Sequence, residues 1–345
     1  MSFAQRVVAW QKVHGRNDLP WQNTQDPYRV WLSEIMLQQT QVVTVKAYFA
    51  RFLEQFADVQ SLAGASLDEV LGLWSGLGYY SRARNLHLCA KAVVQTHGGE
   101  FPRDAGTLET LPGIGRSTAA AISSLCFGER VAILDANVKR VVTRAQGFDS
   151  DLAISSHEKL LWEIATKLLP QTATAPQEMA RYTQGMMDLG ATVCVPKSPR
   201  CGECPVASQC VARRNGDPER YPVRSRKIKR SSQRIFLLLA RTSDGAVWLA
   251  RRPAPGVWAG LHCPPLFDTE EAMCSALTGA QREQLVPLDA FKHVLTHKDL
   301  HLHPFKLEAT RDADFGNQGR WVGAAQWPGL GLPAPIRKLL DAHAL

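Results

Sequence analysis

The apolar residues in about the first two hundred positions follow the spacing of α-helices. Asp26-Pro27 has the residue types that begin a helix, with Asp as the N-cap and Pro at the first helical position. Apolar residues then recur three or four positions apart, at Tyr28, Trp31, Leu32 and Ile35. The runs Ser117–Cys126 and Glu178–Leu189 are helical in character as well. Because no stretch before Arg220 alternates with a period of two, the pattern predicts an all-α domain.

The pattern changes after Arg230. Arg234–Ala240 and Ala246–Arg251 have the composition of strands, with the turn sequence Ser243-Asp244-Gly245 between them. We therefore expect a multidomain protein, with an all-α domain over residues 1–215, a basic linker over 216–233 and an α+β domain over 234–345.

Composition excludes some classes of protein. Of the 345 residues, 45% are hydrophobic and 21% charged, as in an ordinary globular chain. The longest aliphatic and aromatic run, Ile235–Ala240, is far shorter than the ~20 residues that cross a bilayer. Met1–Arg16 lacks the apolar core of a signal peptide. We expect a cytoplasmic protein with no membrane partner.

The net charge of +8 is concentrated in one segment. Cys201–Arg234 contains nine basic and three acidic residues, a net charge of +6. The densest part of this segment contains Arg224, Arg226, Lys227, Lys229 and Arg230. The segment is either a solvated linker or a linker that lies along a phosphate backbone.

Four of the eight cysteines form a compact group. Their spacing is C-x6-C-x2-C-x5-C, at Cys194, Cys201, Cys204 and Cys210. An intracellular chain keeps its thiols reduced, which favours a metal or cluster site over disulfides. Thiolates suit zinc and iron–sulfur clusters equally well, but zinc ribbons usually have two separated C-x2-C pairs. The single compact loop favours one 4Fe–4S cluster, with zinc, or no metal at all, as the alternatives.

Two further motifs point to nucleic acid. The string Leu111–Ala119, within a predicted helical hairpin at 107–126, has glycines at Gly113 and Gly115. Such a turn exposes backbone N–H groups that accept a phosphate, although it also fits a simple αα-hairpin. Asp135 follows the apolar stretch Val131–Leu134, twenty residues after the second glycine. It is either a helix N-cap or a carboxylate returned to the strand that the hairpin holds.

Together, these features resemble the DNA glycosylase superfamily typified by endonuclease III, over about residues 20–212. The strings Trp31–Gln41 and Gly76–Asn85 closely resemble the MutY family of adenine glycosylases. The resemblance implies an all-α helix-hairpin-helix glycosylase with two helical subdomains, DNA in the cleft between them and a 4Fe–4S loop over 194–210. It also implies a monomer that acts on double-stranded DNA with adenine opposite 8-oxoguanine or guanine, in the nucleoid.

The resemblance assigns the chemistry to two carboxyl groups. Glu34 lies in an apolar helix, where burial raises a carboxyl pKa, and the matching family residue protonates adenine. Asp135 is expected to stay ionised and face the sugar. Ser117 stands where strand-cutting relatives have a Schiff-base lysine, which predicts a monofunctional enzyme; Lys139 is the nearest amine for adventitious lyase chemistry.

Further residues are assigned to DNA by family position. The residues expected to fill the duplex once the target base has left the stack are Gln38, Gln39, Leu77 and Tyr79. Those expected to form the adenine pocket are Trp21, Gln22, Leu37 and Gln39. Those expected to contact DNA around the hairpin are Gly113, Gly115, Ser117 and Asn137. The alternative is that the glutamines lie on a helix surface and the tyrosine in the core.

The C-terminal domain resembles the Nudix-like domain with which this family recognises 8-oxoguanine. Pro255–Leu261 is similar to the family's Gly-x-Trp-x-Gly-Leu segment, and no Glu-rich REx2EE helix lies between Gly245 and Gln284, so nucleotide hydrolysis is not expected. The family's Phe-Ser-His reader is replaced by Leu295-Thr296-His297, which keeps a hydroxyl group and an imidazole but no aromatic ring.

The resulting interpretation is a monofunctional adenine DNA glycosylase of base excision repair. One alternative is an endonuclease III-like glycosylase for oxidised pyrimidines, which Ser117 and the extra domain disfavour. The other is a non-catalytic DNA-binding iron–sulfur protein, which the presence of both Glu34 and Asp135 disfavours.

Overall fold

The computed structural model describes residues 1–22, 24–171, 176–225, 229–316 and 318–343. By its internal contacts the chain divides into two compact units. The first consists of Met1–Ala63 and Leu88–Lys227, and the second of Gly64–His87 and Ile228–Leu345. Residues 64–87 thus pack with the C-terminal unit, although they precede the hairpin in sequence. Arg226 and Lys227 of the predicted linker lie outside the described residues.

The chain up to Arg220 is helical, as its apolar spacing predicts, and no strand precedes Ser231 among the described residues. The helices are α1 (Phe3–His14), α2 (Pro27–Leu37), α3 (Val42–Gln55), α4 (Val59–Gly64), α5 (Leu67–Leu73), α6 (Tyr80–His97), α7 (Ala105–Glu109), α8 (Arg116–Ile122), α9 (Ala136–Gln146), α10 (Ser155–Lys167), α11 (Pro176–Thr192) and α12 (Val211–Arg214). A π-helical segment, Ser123–Phe127, follows α8. Short 3-10 helices lie at Cys201–Glu203, Ala207–Gln209 and Pro218–Arg220.

The core of the first unit holds the segment before α9 in place. Buried apolar side chains of α1, α9, α10 and α11 pack together with Ile133 and Leu134, which lead into α9. The predicted helix start at Asp26-Pro27 is confirmed, because the Asp26 Oδ1 atom accepts a hydrogen bond of 2.9 Å from the Tyr28 N–H group. The packed core therefore fixes the segment that leads into α9, and the Asp26 cap fixes the start of α2.

The second unit contains an eight-stranded sheet. Its strands are β1 (Ser231–Arg241), β2 (Val247–Arg251), β3 (His262–Cys263), β4 (Leu266–Phe267), β5 (Val286–Pro287), β6 (Phe291–Val294), β7 (Lys298–Glu308) and β8 (Arg320–Val322). The main order is β3-β2-β1-β7-β5; β4 pairs with β1, β6 with β7 and β8 with β2. β1 and β7 are parallel along their whole length, with Ser231 opposite Lys298. This long-range pairing starts β1 before the predicted Arg234.

Side chains of β1 alternate between two apolar layers. Leu237 and Leu239 pack on the side of α15 (Ala334–His343), whereas Leu238 and Ala240 pack on the side of α13 (Glu270–Ser275). A further short helix, α14, spans Gly279–Glu283 and a 3-10 turn spans Trp327–Gly329. Because successive strand side chains point to opposite faces, burial on both faces explains the nearly continuous apolar sequence of β1. No helix among the described residues is long and apolar enough to span a membrane.

Candidate active site

A cavity of about 500 Å³ opens in the first unit beside α2. Glu34 lines this cavity, together with Trp21 and Gln22, which the family resemblance assigns to an adenine pocket. Leu37 and Gln39, assigned to the same pocket, are not among the lining residues. The cavity is large enough for a purine base, and Glu34 is the carboxyl group that faces it.

Glu34 lies on an otherwise buried helix. Its neighbours Trp31 and Ile35 are buried, while Glu34 itself is partly exposed to the cavity. Burial, with a smaller contribution from the Asp135 carboxylate, raises the pKa of Glu34 to about 7, although Arg16 opposes the shift. A carboxyl group with this pKa is substantially protonated at neutral pH, which suits a general acid.

Asp135 is both a helix cap and a partner of Glu34. Its Oδ1 atom accepts a hydrogen bond of 2.7 Å from the Val138 N–H group at the start of α9. Burial raises the pKa of the Asp135 carboxyl, while the N–H group of Val138 and the side chain of Asn137 oppose that rise by binding the ionised form. The N-cap alternative is thus observed, and Asp135 is not among the residues that line the cavity beside Glu34.

The hairpin positions Asp135 through Ser117. α7 and α8 form the two helices, and Gly113, at φ +77° in the turn between them, occupies a backbone region that favours glycine. Gly113 and Gly115 are both exposed. The Ser117 Oγ atom accepts a hydrogen bond of 3.0 Å from the Leu134 N–H group, which immediately precedes Asp135. Ser117 thus places no amine at this position, and its hydroxyl group ties the hairpin to the segment that leads into α9.

Asn137 and Arg140 connect Asp135 to the cysteine loop. The Asn137 Oδ1 atom accepts a hydrogen bond of 2.8 Å from Arg140 Nη2, and its Nδ2 atom lies 3.5 Å from Asp135 Oδ2. Arg140 Nε donates to the Cys194 carbonyl oxygen at 2.6 Å. The Asn137 amide, assigned to DNA by resemblance, is engaged within the protein in this structure.

The four clustered cysteines surround one small cavity of about 20 Å³. Arg144 also lines it, and its Nη1 atom lies 3.4 Å from Cys194 Sγ. Among the described residues, no group of three or more His, Cys, Asp or Glu side chains is arranged to hold a single metal ion. Tetrahedral zinc needs all four sulfur atoms at ≈ 2.3 Å from one point. Four thiols that line one cavity supply the thiolate ligand set of an iron–sulfur cluster.

Two non-glycine residues with positive φ mark the predicted duplex-filling positions. Gln39 has φ +58° just after α2, and Tyr79 has φ +48° just before α6. Both side chains are exposed, whereas such backbone conformations are uncommon and concentrate at functional sites. Gln38 Nε2 lies 3.4 Å from Thr118 Oγ1 of the hairpin. Leu77 is buried, so this conformation does not present it to a ligand.

A second cavity, of about 470 Å³, lies within the second unit. Tyr79, Trp258, Thr296 and His297 line it, and the Tyr79 hydroxyl group lies 2.7 Å from Thr296 Oγ1. The Thr296 carbonyl oxygen accepts a hydrogen bond of 3.1 Å from Arg230, at the end of the basic linker, and Arg230 also pairs with Asp299.

Leu295 has a packing role in the same segment. It lies against the apolar layer of the sheet that faces α15, and its N–H group donates to the Lys298 carbonyl oxygen at 2.8 Å. The two side chains that follow it, Thr296 and His297, are exposed. Leu295 therefore packs inward, and the hydroxyl group of Thr296 and the imidazole of His297 stay at the surface.

Comparison with known proteins identifies the family. Over 98% of its length the chain is 35% identical to the adenine DNA glycosylase of Buchnera aphidicola subsp. Acyrthosiphon pisum, and the match covers 97% of that protein. The chain belongs to the adenine DNA glycosylase family. It is thus a base excision repair enzyme that hydrolyses N-glycosidic bonds, and it is also 41% identical to the human adenine DNA glycosylase over 63% of this chain and 40% of the human protein.

Three family profiles and one solved structure agree with this glycosylase assignment. Residues 32–171 match the HhH-GPD superfamily of base excision DNA repair proteins, 194–210 the iron–sulfur binding domain of endonuclease III and 236–342 the NUDIX domain. A thermostable thymine-DNA glycosylase is similar in structure, with a TM-score of 0.54 and 29% identity over 62% of this chain and 95% of that one. The predicted fold class is confirmed, and the cysteine loop of this glycosylase binds an iron–sulfur cluster.

The sequence analysis missed part of this glycosylase's cavity. Gln184 lines it from α11, and its Nε2 atom donates to Asp188 Oδ1 at 3.0 Å. Asp188 is fully buried and also accepts from Arg16 Nε at 2.8 Å. Because a carboxylate only accepts, the Gln184 amide must turn its NH₂ group toward Asp188 and its oxygen elsewhere. A buried acidic residue on the apolar face of α11 was the available signal.

Proposed function

We propose that this enzyme removes adenine mispaired with 8-oxoguanine, and with guanine, from double-stranded DNA and leaves an abasic site. The observation that carries the 8-oxoguanine specificity is the hydrogen bond between Tyr79 and Thr296 in the cavity of the second unit. 8-Oxoguanine differs from guanine by an oxygen at C8 and a hydrogen at N7. A hydroxyl group can accept from that N7–H group or donate to O8, and an aromatic ring can stack on the base.

The two carboxyl groups divide the chemistry of base release. Protonated Glu34 donates its proton to a ring nitrogen of adenine, so the base leaves as a neutral molecule when the bond between N9 and C1′ breaks. The Asp135 carboxylate faces the positive charge that develops on the sugar, and water then adds to C1′ and gives a proton back to the ionised Glu34. Two carboxyl groups with different protonation states perform this division of work in other glycosidases.

Adenine selection follows from the amides of the cavity. Gln22 Nε2 is buried without a hydrogen-bond partner among the described residues, so it is a donor available to a ring nitrogen of the base. Gln184 offers its amide oxygen to the exocyclic amino group, since Asp188 engages the other end. Guanine presents an oxygen in place of that amino group, and an unpaired buried acceptor costs about 1–3 kcal/mol.

The cysteine loop would hold one 4Fe–4S cluster through Cys194, Cys201, Cys204 and Cys210. Bound by four thiolates, the cluster supplies a rigid cross-link to a loop that contains no regular helix longer than a turn. Lys197 and Arg200 in the loop and Arg213 in the following helix α12 add positive charge, which suits a DNA backbone. We expect a monomeric enzyme that works on DNA in the cytoplasm, at the nucleoid.

A single-turnover assay tests the whole proposal. Duplexes with adenine opposite 8-oxoguanine, guanine or thymine are incubated with the enzyme and analysed with and without alkali. We expect strand breaks only after alkali, fastest opposite 8-oxoguanine and absent opposite thymine. Equal rates opposite 8-oxoguanine and guanine would contradict the role of the second-unit cavity. Excision of oxidised pyrimidines without adenine release would favour the endonuclease III-like alternative.

A further inference from the structure

Lys139 is the amine that lies next to Asp135 on α9. The backbone N–H group of Lys139 donates to the backbone carbonyl oxygen of Asp135 at 2.8 Å, one helical turn away. Side chains on a helix tilt toward its N-terminus, so the Lys139 side chain extends toward the turn that Asp135 caps. An abasic sugar that faces Asp135 would therefore lie near a lysine amine.

The Lys139 amine is engaged by Glu158. Its Nζ atom forms an ion pair and hydrogen bond with Glu158 Oε1, in the first turn of α10. The side chains of Lys139 and Glu158 are 19% and 38% exposed, so the pair lies at the surface of the unit, where a bound strand can reach it.

The position of Glu158 is set by the packing of α10. Leu161 and Ala165 of this helix are buried in the core of the first unit. Trp162, one turn after Glu158, lies under the Arg116 guanidinium group of α8 at 4.0 Å from the ring centroid. One face of α10 thus engages both cations that flank the Ser117–Asp135 region.

We propose that Glu158 is a positioning residue that suppresses abasic-site lyase activity at Lys139. This inference rests on the proposed function, because it requires the abasic product to lie beside Asp135. In the suppressed reaction, the Nζ lone pair attacks C1′ of the open-chain aldehyde, a C–N bond forms and the carbonyl oxygen leaves as water. Loss of a C2′ proton then breaks the C3′–O bond, the phosphate leaves with the electron pair, and hydrolysis of the imine regenerates the lysine. The ion pair holds the Nζ atom of Lys139 against α10, so the amine must leave Glu158 before it can attack C1′.

The test uses duplex DNA with a preformed abasic site, which needs no base excision. Borohydride trapping and alkali-independent strand cleavage are measured for the wild type, Glu158→Gln and Glu163→Gln. Glu163 is an exposed glutamate of the same helix, so its variant makes the same charge change away from Lys139. We expect up to about fivefold more adduct with Glu158→Gln than with the other two, from the loss of one ion pair. Glu158→Asp, with a shorter side chain, is expected to give an intermediate yield.

Two outcomes would overturn the proposal. One is an unchanged adduct yield in Glu158→Gln with an intact iron–sulfur absorption spectrum, which shows a folded protein. The other is a gain that persists in Glu158→Gln/Lys139→Ala, because a different amine would then be the nucleophile. Adenine release from 8-oxoguanine mispairs, measured on the same preparations, tests the proposed function separately: its absence in the wild type would contradict that function, whatever the trapping yields.

Discussion

The Tyr79 hydroxyl group and the Thr296 side chain, 217 positions apart in sequence, lie 2.7 Å from each other. Both belong to the second unit, because residues 64–87 pack with the C-terminal sheet. The exposed tyrosine, in a left-handed backbone conformation, and the threonine in the bend between β6 and β7 thus form one surface. The lesion recognition that we propose for the second unit rests on this relationship.

Removing the partner of this hydrogen bond should reduce lesion preference. Thr296→Val keeps the shape of the side chain but removes the hydroxyl group that holds Tyr79. We expect the single-turnover preference for adenine opposite 8-oxoguanine over guanine to fall about three- to tenfold, the equivalent of one hydrogen bond. Thr310→Val, on a segment outside the cavity lining, is the control. If the ratio of the rates opposite 8-oxoguanine and guanine is unchanged in Thr296→Val, Thr296 takes no part in lesion recognition.

Glu34→Gln should abolish base release and leave DNA binding intact. The amide has nearly the same shape but cannot donate a proton to the leaving base, and general acid catalysis contributes typically 10²–10⁴-fold. Gel-shift affinity and single-turnover rate on the 8-oxoguanine mispair measure the two effects separately. Loss of binding together with rate would instead support a role for Glu34 in DNA recognition alone.

The rate of base release should depend on pH through Glu34. Because its pKa is raised to about 7, the fraction of protonated acid falls roughly tenfold per pH unit above that value. We expect the single-turnover rate to decline in the same way between pH 7 and about 9. A rate that stays flat over this range would mean that another group supplies the proton.

The same raised pKa predicts a pH-dependent stability. Below the ordinary glutamate pKa of 4.5, Glu34 is protonated in both the folded and the unfolded chain. As pH rises toward about 7, only the unfolded chain releases the proton, so folding stability falls. Glu34→Gln should therefore be more stable than the wild type at pH 8, by about 1–3 kcal/mol, and equal to it near pH 4. Denaturant unfolding of both proteins at pH 4 and pH 8 gives their free energies of unfolding. A difference between the two proteins that is the same at both pH values would contradict the prediction.

Gly190 allows α11 to approach the start of α9. A Cβ atom at this position would lie 2.7 Å from Asn137 Cβ and 2.8 Å from the Asn137 carbonyl oxygen. Gly190→Ala should therefore displace Asn137 and its neighbour Asp135, lower the free energy of unfolding by about 1–3 kcal/mol and slow base release. Gly64→Ala is the matched control, since a Cβ atom there meets nothing within 4 Å. Wild-type behaviour of Gly190→Ala would show that α9 and α11 can separate without cost.

The sequence by itself determined the helical first part, the strands over Arg234–Ala240 and Ala246–Arg251 and the cysteine loop, because these depend on local spacing. The Asp26-Pro27 helix start and the apolar run of β1 are examples. The sequence likewise identified Glu34, from the string around it, and Ser117, from its position in the hairpin, as candidate site residues. The family comparison confirmed the enzyme class.

Only the tertiary structure decided which residues share a site. It brought the Asp135 carboxylate close enough to Glu34 to help raise the pKa of Glu34, buried Leu77, engaged Asn137 and Lys139 with protein partners, and brought Gln184 into the cavity. It also grouped residues 64–87 with the C-terminal sheet. The physical reason is that these contacts join segments far apart in the chain, and their energy depends on packing and charge in three dimensions, which no local pattern of residues contains.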